Sequence, residues 1–266
     1  MPEETAPFPP LDVAHVRAAL AGSLFADVRY QARTGSTNDD ATALLARGDA
    51  LGTTLVAEEQ TAGRGRKAGR SWIAAPGTAL LFTTILPASL PAGDLWAVPF
   101  WVALCVADGI ARACSVHADL RWPNDLFVQN RKVAGILSTS RVAGDVAHVG
   151  CGVGINVFHP AAGTLAAIEP PPAFLSDVTA GVRREVVLSE VLLAFERRLA
   201  ALHAPAAVAR TYEERAALRG ARYRVLVDLD QVELNGIARG LGPDGALRLD
   251  VDGVEHAIAL ADAHRL

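Results

Sequence analysis

The sequence predicts an α+β protein: a mixed or antiparallel central sheet flanked by helices, followed by a small C-terminal β-barrel. Three observations lead there. Strand-like segments follow one another in the middle of the chain, helical stripes lie before and after them, and from about Ala221 the pattern changes to short alternating segments broken by turn residues. The 266 residues, 51% hydrophobic and 20% charged, suffice for one good-sized unit and a small one.

In chain order, residues 1–10 are acidic and Pro-rich and are expected to be disordered. Residues 11–218 read as the main unit. Leu11–Leu20 carries apolar residues at helical spacing. Ser36 and Thr37 precede Asn38-Asp39-Asp40 and the apolar Ala41, Leu44 and Leu45, which marks a helix start with acidic first-turn residues. Thr53–Ala57 and Thr78–Leu86 are strand-like, and the polar, cationic, glycine-rich Glu58–Pro76 joins them. A connection that long is usually functional or disordered. Leu95–Cys114 reads as a buried helix, because its unbroken apolar run, Leu95 to Ala107, is shorter than the ~20 residues of a bilayer span.

Three further strand candidates follow, Leu120–Val128, Lys132–Ser140 and Asp145–Val157, with Asn130-Arg131 as the tight turn between the first two. Residues 160–187 resist assignment. Leu188–Leu202 shows a stripe at Val191, Leu192, Phe195 and Leu199, and a second helix is expected after Pro205. Residues 219–266 read as the barrel, with Asn235-Gly236, Pro243-Asp244-Gly245 and Asp252-Gly253 as its turns.

Composition narrows the function classes. A net charge of −4 gives no global field that draws the chain onto nucleic acid or anionic lipid. Cys105, Cys114 and Cys151 form no CxxC pair and read as buried free thiols. The N-terminus lacks the basic and apolar regions of a secretory signal, so a cytoplasmic protein is expected. No histidine lies at metal-ligand spacing with another histidine or a cysteine, and no GxSxG elbow occurs, which sets zinc enzymes and hydrolases aside. No GxxxxGK[ST] segment occurs either, so any ATP use avoids the P-loop.

Three segments carry chemistry. Gly63-Arg64-Gly65-Arg66-Lys67-Ala68-Gly69-Arg70-Ser71-Trp72 packs four cations into seven positions of an acidic chain and points to an anionic ligand, although a solvated basic loop is the plainer reading of composition alone. Asn124, Asp125 and Lys132 lie on neighbouring strands, where an anion and a metal ion or amine could be met; an ordinary cross-strand ion pair is the plainer reading. Gly150-Cys151-Gly152-Val153-Gly154-Ile155-Asn156 fails as a dinucleotide fingerprint because no helix follows it. It reads as a glycine-rich strand approached by a ligand, or as a β-bulge.

Taken in order, Ser36-Thr37-Asn38, Glu59-Gln60-Thr61-Ala62-Gly63-Arg64-Gly65-Arg66, Arg121-Trp122-Pro123-Asn124-Asp125-Leu126, Lys132-Val133-Ala134-Gly135-Ile136-Leu137 and Gly152-Val153-Gly154-Ile155-Asn156 resemble the biotin protein ligase family, in the form without an N-terminal DNA-binding domain. Gly236–Gly240 and Asp244–Leu247 resemble its small C-terminal domain. The resemblance implies a class II synthetase-like core with an SH3-like C-terminal barrel. It implies an enzyme that joins biotin and ATP into biotinyl-5'-AMP, releasing pyrophosphate, and then biotinylates a lysine of a biotin carboxyl carrier protein domain. ATP, biotin and Mg²⁺ are the expected small molecules.

By the same likeness Ser36, Thr37, Asn38 and Gln60 hold the biotin head, and Gly63, Arg64, Gly65 and Arg66 belong to the loop over biotin and phosphate. Lys132 bridges carboxylate and α-phosphate, with Gly135 beside it; Asn124 and Asp125 face the acceptor lysine or Mg²⁺. Gly152, Gly154 and Asn156 meet the nucleotide, and Trp72 closes the loop over the adenylate. The catalytic set so implied is Lys132, Arg64, Arg66 and Asp125, with no metal ligand given by a direct motif. Two features depart from the family's pattern: the basic loop is one residue longer, which touches Lys67 and Arg70, and Arg121 stands where a lysine is usual. About 30 residues precede Ser36, too few for a winged DNA-binding domain, so no repressor function or specific DNA binding is expected. A monomer or weak homodimer without membrane association is expected; lipoate or octanoate transfer on the same core is the alternative activity.

Overall fold

The computed structural model describes residues 8–48, 50–66, 70–161, 170–227, 232–259 and 261–266. Asp12 opens helix α1 (Val13–Ala19) by accepting the amide of His15 at 3.0 Å, which satisfies one of the donors a helix start leaves free. Strand β1 (Val28–Thr34) leads to helix α2 (Thr37–Arg47), which Gly48 ends in the left-handed conformation. Strand β2 (Thr54–Gln60) runs parallel to β1, with Val28 opposite Thr54 and Thr34 opposite Gln60. Strand β3 (Ala79–Ile85) is buried at all seven positions, as a central strand covered on both faces must be.

After β4 (Leu90–Pro91) and a 3-10 turn comes helix α3 (Val98–Cys114), then strands β5 (Asp119–Arg121), β6 (Asp125–Val128), β7 (Arg131–Ala143) and β8 (Val146–Asn156). The sheet order is β1-β2-β3-β8-β7-β6-β5, with β4 on β8, and only the β1–β2 pair is parallel. Helices α4 (Arg184–Arg198) and α5 (Pro205–Arg215) pack with α3 on one face of it. Strands β9 (Arg222–Val227), β10 (Val232–Leu241), β11 (Leu247–Val251), β12 (Val254–Ile258) and β13 (Ala261–Arg265) form a second, wholly antiparallel sheet in the order β12-β11-β10-β9-β13. The expected α+β class with a mixed sheet is what the chain adopts.

With its preceding 3-10 turn, the stretch Ala92–Cys114 is long and apolar enough to cross a bilayer by length and composition alone. It instead supplies the core: Phe100, Trp101, Leu104, Val106 and Ile110 are buried, and Trp101 Nε1 donates to Arg198 O of α4 at 2.7 Å.

Several elements differ from the sequence reading. Strand β1 was not anticipated; it is an edge strand exposing Arg29 and Arg33, so its composition is as polar as a loop's. The single strand expected over Leu120–Val128 is two, since Pro123 has no N–H for a ladder and residues 122–124 turn the chain so that Arg121 faces Asp125. The turn into β7 lies one residue early, at Gln129-Asn130, whose φ angles of 51° and 59° suit a two-residue hairpin. Asn235-Gly236, read as a turn, lies inside β10 opposite Arg224 and Tyr223, where ladder pairing overrides local turn preference. Helix α4 starts four residues earlier than expected because buried Arg184 pairs with Glu58 at 2.6 Å. Of the segment expected to be disordered, residues 1–7 lie outside the described residues. Phe8 stacks on Phe158 at 4.7 Å, and Pro9 O accepts from Arg184 at 2.7 Å, so Phe8–Pro10 are docked.

Asp108 ties the helical layer together, accepting from Arg198 Nε at 2.6 Å and Arg215 Nη1 at 2.5 Å. Burial alone would raise its carboxyl, but the two arginine hydrogen bonds outweigh burial and hold it below the ordinary 3.8. A depressed folded value stabilises above the unfolded value and is lost as pH falls through the folded one. Asp108→Ala, which strands two guanidinium groups, is expected to cost about 1–3 kcal/mol in urea denaturation at pH 7. The gap between variant and parent should close as the pH drops below the ordinary carboxylate range.

Candidate active site

The site begins at the first turn of α2. Thr37 N and Oγ1 both donate to Gln60 Oε1, at 2.9 and 3.0 Å, so the end of β2 caps the helix in place of Ser36, whose side chain makes no capping hydrogen bond. Thr83 Oγ1 of β3 lies 2.9 Å from Thr37 Oγ1 and 2.8 Å from Asn38 Oδ1, and Asn38 Nδ2 donates to Leu137 O of β7 at 3.0 Å. Ser36 and Thr37 are buried polar residues at 2% and 4% exposure, so this turn is a fixed polar wall rather than a loop. With Gln60 Oε1 engaged, its amide N–H groups remain for another acceptor.

The glycines of β7 and β8 make that approach possible. A Cβ at Gly152 would collide with Asn38 Oδ1 and Leu137 O. A Cβ at Gly154 would fall 2.5 Å from Trp72 Cε2, and one at Gly135 would fall 2.8 Å from Trp72 Cζ3 and 3.3 Å from Lys132 Nζ. The floor expected to admit a ligand thus holds protein side chains: Asn38 over Gly152, and the Trp72 indole over Gly135 and Gly154. Trp72 Nε1 is buried without a hydrogen-bond partner among the described residues.

A register shift between Leu126 and Phe127 places Asp125 opposite Gly135 and Phe127 opposite Lys132. This bulge turns Lys132 and Gly135, three residues apart, to one side of the sheet. Lys132 Nζ then meets Asp125 Oδ1 at 2.7 Å and lies 5.6 Å from the centre of the Trp72 ring. Asn124 Nδ2 donates to Ile136 O at 2.8 Å and pins this corner.

The basic loop folds back on itself: Gly65 N donates to Arg70 O at 2.8 Å and Trp72 N to Gly63 O at 3.0 Å. Lys67 and Gly69 lie outside the described residues. Arg64 Nη2 pairs with Asp39 Oδ1 at 2.9 Å, and Arg66 Nη2 donates to Ala261 O of β13, in the second sheet. Together these elements line a cleft of about 490 Å³ including its open mouth, which brings Thr37, Asn38 and Gln60 together with Arg64, Arg66 and Lys132.

Of the expected site residues, the cleft gathers Ser36, Thr37, Asn38, Gln60, Arg64, Gly65 and Arg66 from α2, β2 and the loop. Trp72, Asn124, Lys132, Gly135, Gly152 and Gly154 complete that set. Gly63 serves the loop's own hairpin at Trp72. Asp125 stands behind Lys132. Asn156 is not among the residues that line the cleft; its amide donates to Lys132 O at 3.3 Å. Asp39 was read only as a first-turn helix residue; its place beside Asn38 was the available signal for its role as a partner of Arg64. Ala261 carried none, since a backbone carbonyl has no sequence signature. Burial pushes the thiols of Cys105, Cys114 and Cys151 up, so none is poised as a nucleophile.

The model of the biotin/lipoate A/B protein ligase family matches residues 31–156, which span this site. A biotin--[acetyl-CoA-carboxylase] ligase from Mycobacterium tuberculosis is 35% identical over 97% of this chain and 97% of its own length. The chain belongs to the biotin protein ligase family. Another ligase of that name, from Paracoccus denitrificans, is 34% identical over 82% of this chain and 92% of its own. Among solved structures, the biotin protein ligase from Aquifex aeolicus in complex with biotin and ATP superposes with a TM-score of 0.72 at 24% identity. That match covers 90% of this chain and 99% of that one, and it shows that the two share a fold.

In this family member, Gly152→Ala tests the close approach of α2. The added methyl forces Asn38 off Leu137, and thermal denaturation is expected to register a loss of about 1–3 kcal/mol. A variant as stable as the parent would show that Asn38 can move aside freely.

Proposed function

We propose that the chain is an ATP-dependent biotin–protein ligase. It joins biotin and ATP into biotinyl-5'-AMP with release of pyrophosphate, then passes the biotinyl group to a lysine of a biotin carboxyl carrier protein domain. The observation that carries this reading is one cleft lined both by amide and hydroxyl groups and by three cations.

The chemistry needs both kinds of group. A ureido head is met by the Gln60 amide and the first turn of α2, while a carboxylate and an α-phosphate can approach only if fixed cations offset their repulsion. In this reading Lys132 lies between the two anions, exchanging Asp125 for them. Arg64 and Arg66 supply planar donor forks from the loop. In the second half-reaction the acceptor ammonium must lose a proton before its nitrogen attacks the acyl carbon, and the Asp125 carboxylate beside Lys132 is the base at hand. Trp72, on the same loop, shields the mixed anhydride from water once it moves from the glycine floor onto the ligand.

Mg²⁺ would arrive with ATP and neutralise triphosphate charge. Among the described residues no three His, Cys, Asp or Glu side chains cluster to hold a metal, and the carboxylate that Lys132 meets is that of Asp125. A cytoplasmic location belongs to the same reading.

Pyrophosphate release on mixing the chain with ATP, Mg²⁺ and biotin tests the proposal, with lipoate and octanoate in parallel. A biotin-dependent burst near one per chain supports it; a response to lipoate instead would overturn the substrate. Lys132→Ala is expected to slow that burst by about 10²–10³-fold with an unchanged melting temperature. Arg66→Ala is expected to form the adenylate but lose it to solution, read as continued pyrophosphate release without acceptor.

A further inference from the structure

The first turn of α2 carries two neighbouring acids with different partners, and the proposed chemistry uses neither. Asp40 is tied to β1, where its Oδ2 accepts from Thr34 Oγ1 at 2.7 Å and from Gln31 Nε2 at 3.1 Å. Asp39 instead pairs with the basic loop, its Oδ1 lying 2.9 Å from Arg64 Nη2.

The backbone brings that pair together. The parallel β1–β2 ladder runs on past the end of both strands, with Thr61 N donating to Thr34 O at 3.0 Å and Ala62 N to Gly35 O at 2.8 Å. The root of the loop therefore leaves the sheet beside the start of α2. Two residues on, Arg64 is bridged to Ser71 across the loop's own hairpin, which the bonds from Gly65 N to Arg70 O and from Trp72 N to Gly63 O close. On the other side, Asp39 N donates to Ser36 O at 3.0 Å, in the turn that Gln60, Thr83 and the Leu137 carbonyl hold through Thr37 and Asn38. Both partners thus stand on fixed backbone.

Arg64 lines the cleft, and Asp39 is not among the lining residues. A guanidinium carries five N–H donors in a rigid fork, so one nitrogen held on a carboxylate leaves the others for an anion in the cleft. An unheld arginine must give up its rotamer freedom when it binds, and a partner that already holds the fork removes part of that loss beforehand. The same carboxylate also lowers the local positive potential, which works against anion binding. Salt screens that second effect at exposed positions such as these, while the hold on the fork is geometric, so orientation wins.

We propose that Asp39 is a positioning residue: it holds the Arg64 guanidinium in the cleft wall before an anion arrives and ties the basic loop to the first turn of α2. The inference rests on the reading of Arg64 as ligase machinery.

Asp39→Asn in the full chain tests it, with Asp40→Asn beside it. The second variant removes the same charge from the same helix start, so it separates the loop contact from an effect on the helix. In biotin-dependent pyrophosphate release, Asp39→Asn should raise the KM for ATP about three- to fivefold, the size of effect an exposed pair supports, with kcat within about twofold. Asp40→Asn should match the parent. A KM that is unchanged or lower in Asp39→Asn, a change confined to kcat, or an equal rise in Asp40→Asn would remove Asp39 from positioning. Trypsin acting on the full chain without ligand reads the tie separately: cleavage within the basic loop should run about three- to fivefold faster in Asp39→Asn than in the parent, and equal rates would overturn the tie. If the parent itself shows no biotin-dependent pyrophosphate release, the ligase reading fails, and the cleavage comparison still decides whether Asp39 holds the loop.

Discussion

Asn38 rests in the space that a side chain at position 152 would fill, and the geometry of the cleft follows from that approach. Because β8 offers no Cβ there, the first turn of α2 settles onto the sheet, close enough for Gln60 to cap it and for Thr83 to reach both Thr37 and Asn38. The same absence at Gly135 and Gly154 lets the Trp72 indole lie flat on the neighbouring strand positions, which carries the basic loop inward. Close packing tolerates little change of volume at such a crossing. The polar wall and the cationic loop therefore share one floor.

The cations that line the cleft are each engaged within the chain. Arg64 meets Asp39, Lys132 meets Asp125, and Arg66 reaches the Ala261 carbonyl. Partly exposed pairs of this kind are worth about 0–1 kcal/mol, enough to orient a side chain and little enough to yield to a better anion. In a chain of net charge −4, this arrangement keeps local positive charge in place without a global field. Arg66 also ties the loop to the second sheet, which Glu213 and Arg265 fasten to α5. The small sheet is thus built into the back of the cleft.

Much of this was legible in the sequence where a local pattern had a local cause. The apolar run that became α3, the acidic helix start at Asn38-Asp39-Asp40, and the alternating segments after Ala221 reflect periodicities that depend on neighbouring residues. The basic loop was legible because four cations stand out against an acidic chain. Elements whose cause is distant were not. Strand β1 is polar because it lies at an edge, Asn235-Gly236 is straightened by ladder pairing with β9, and the start of α4 depends on Glu58, 126 residues away. The glycines of β8 were recognised as a place of close approach; that Asn38 and Trp72 make the approach follows from the packing of α2 and the loop.

By itself, the sequence determined the α+β class, the order of most elements, and the residue types at the cleft, because propensity, periodicity and charge are properties of neighbouring residues. It determined through resemblance the family to which the chain belongs. The tertiary structure decided which groups meet. It placed Asp125 against Lys132 through a bulge, tied the Asn156 amide to Lys132 O, and gave Arg64 a partner in Asp39. Those pairings join residues far apart in the chain, and they exist only once the sheets and helices have packed, since side-chain contacts fall off within a few ångströms while sequence distance sets no such limit.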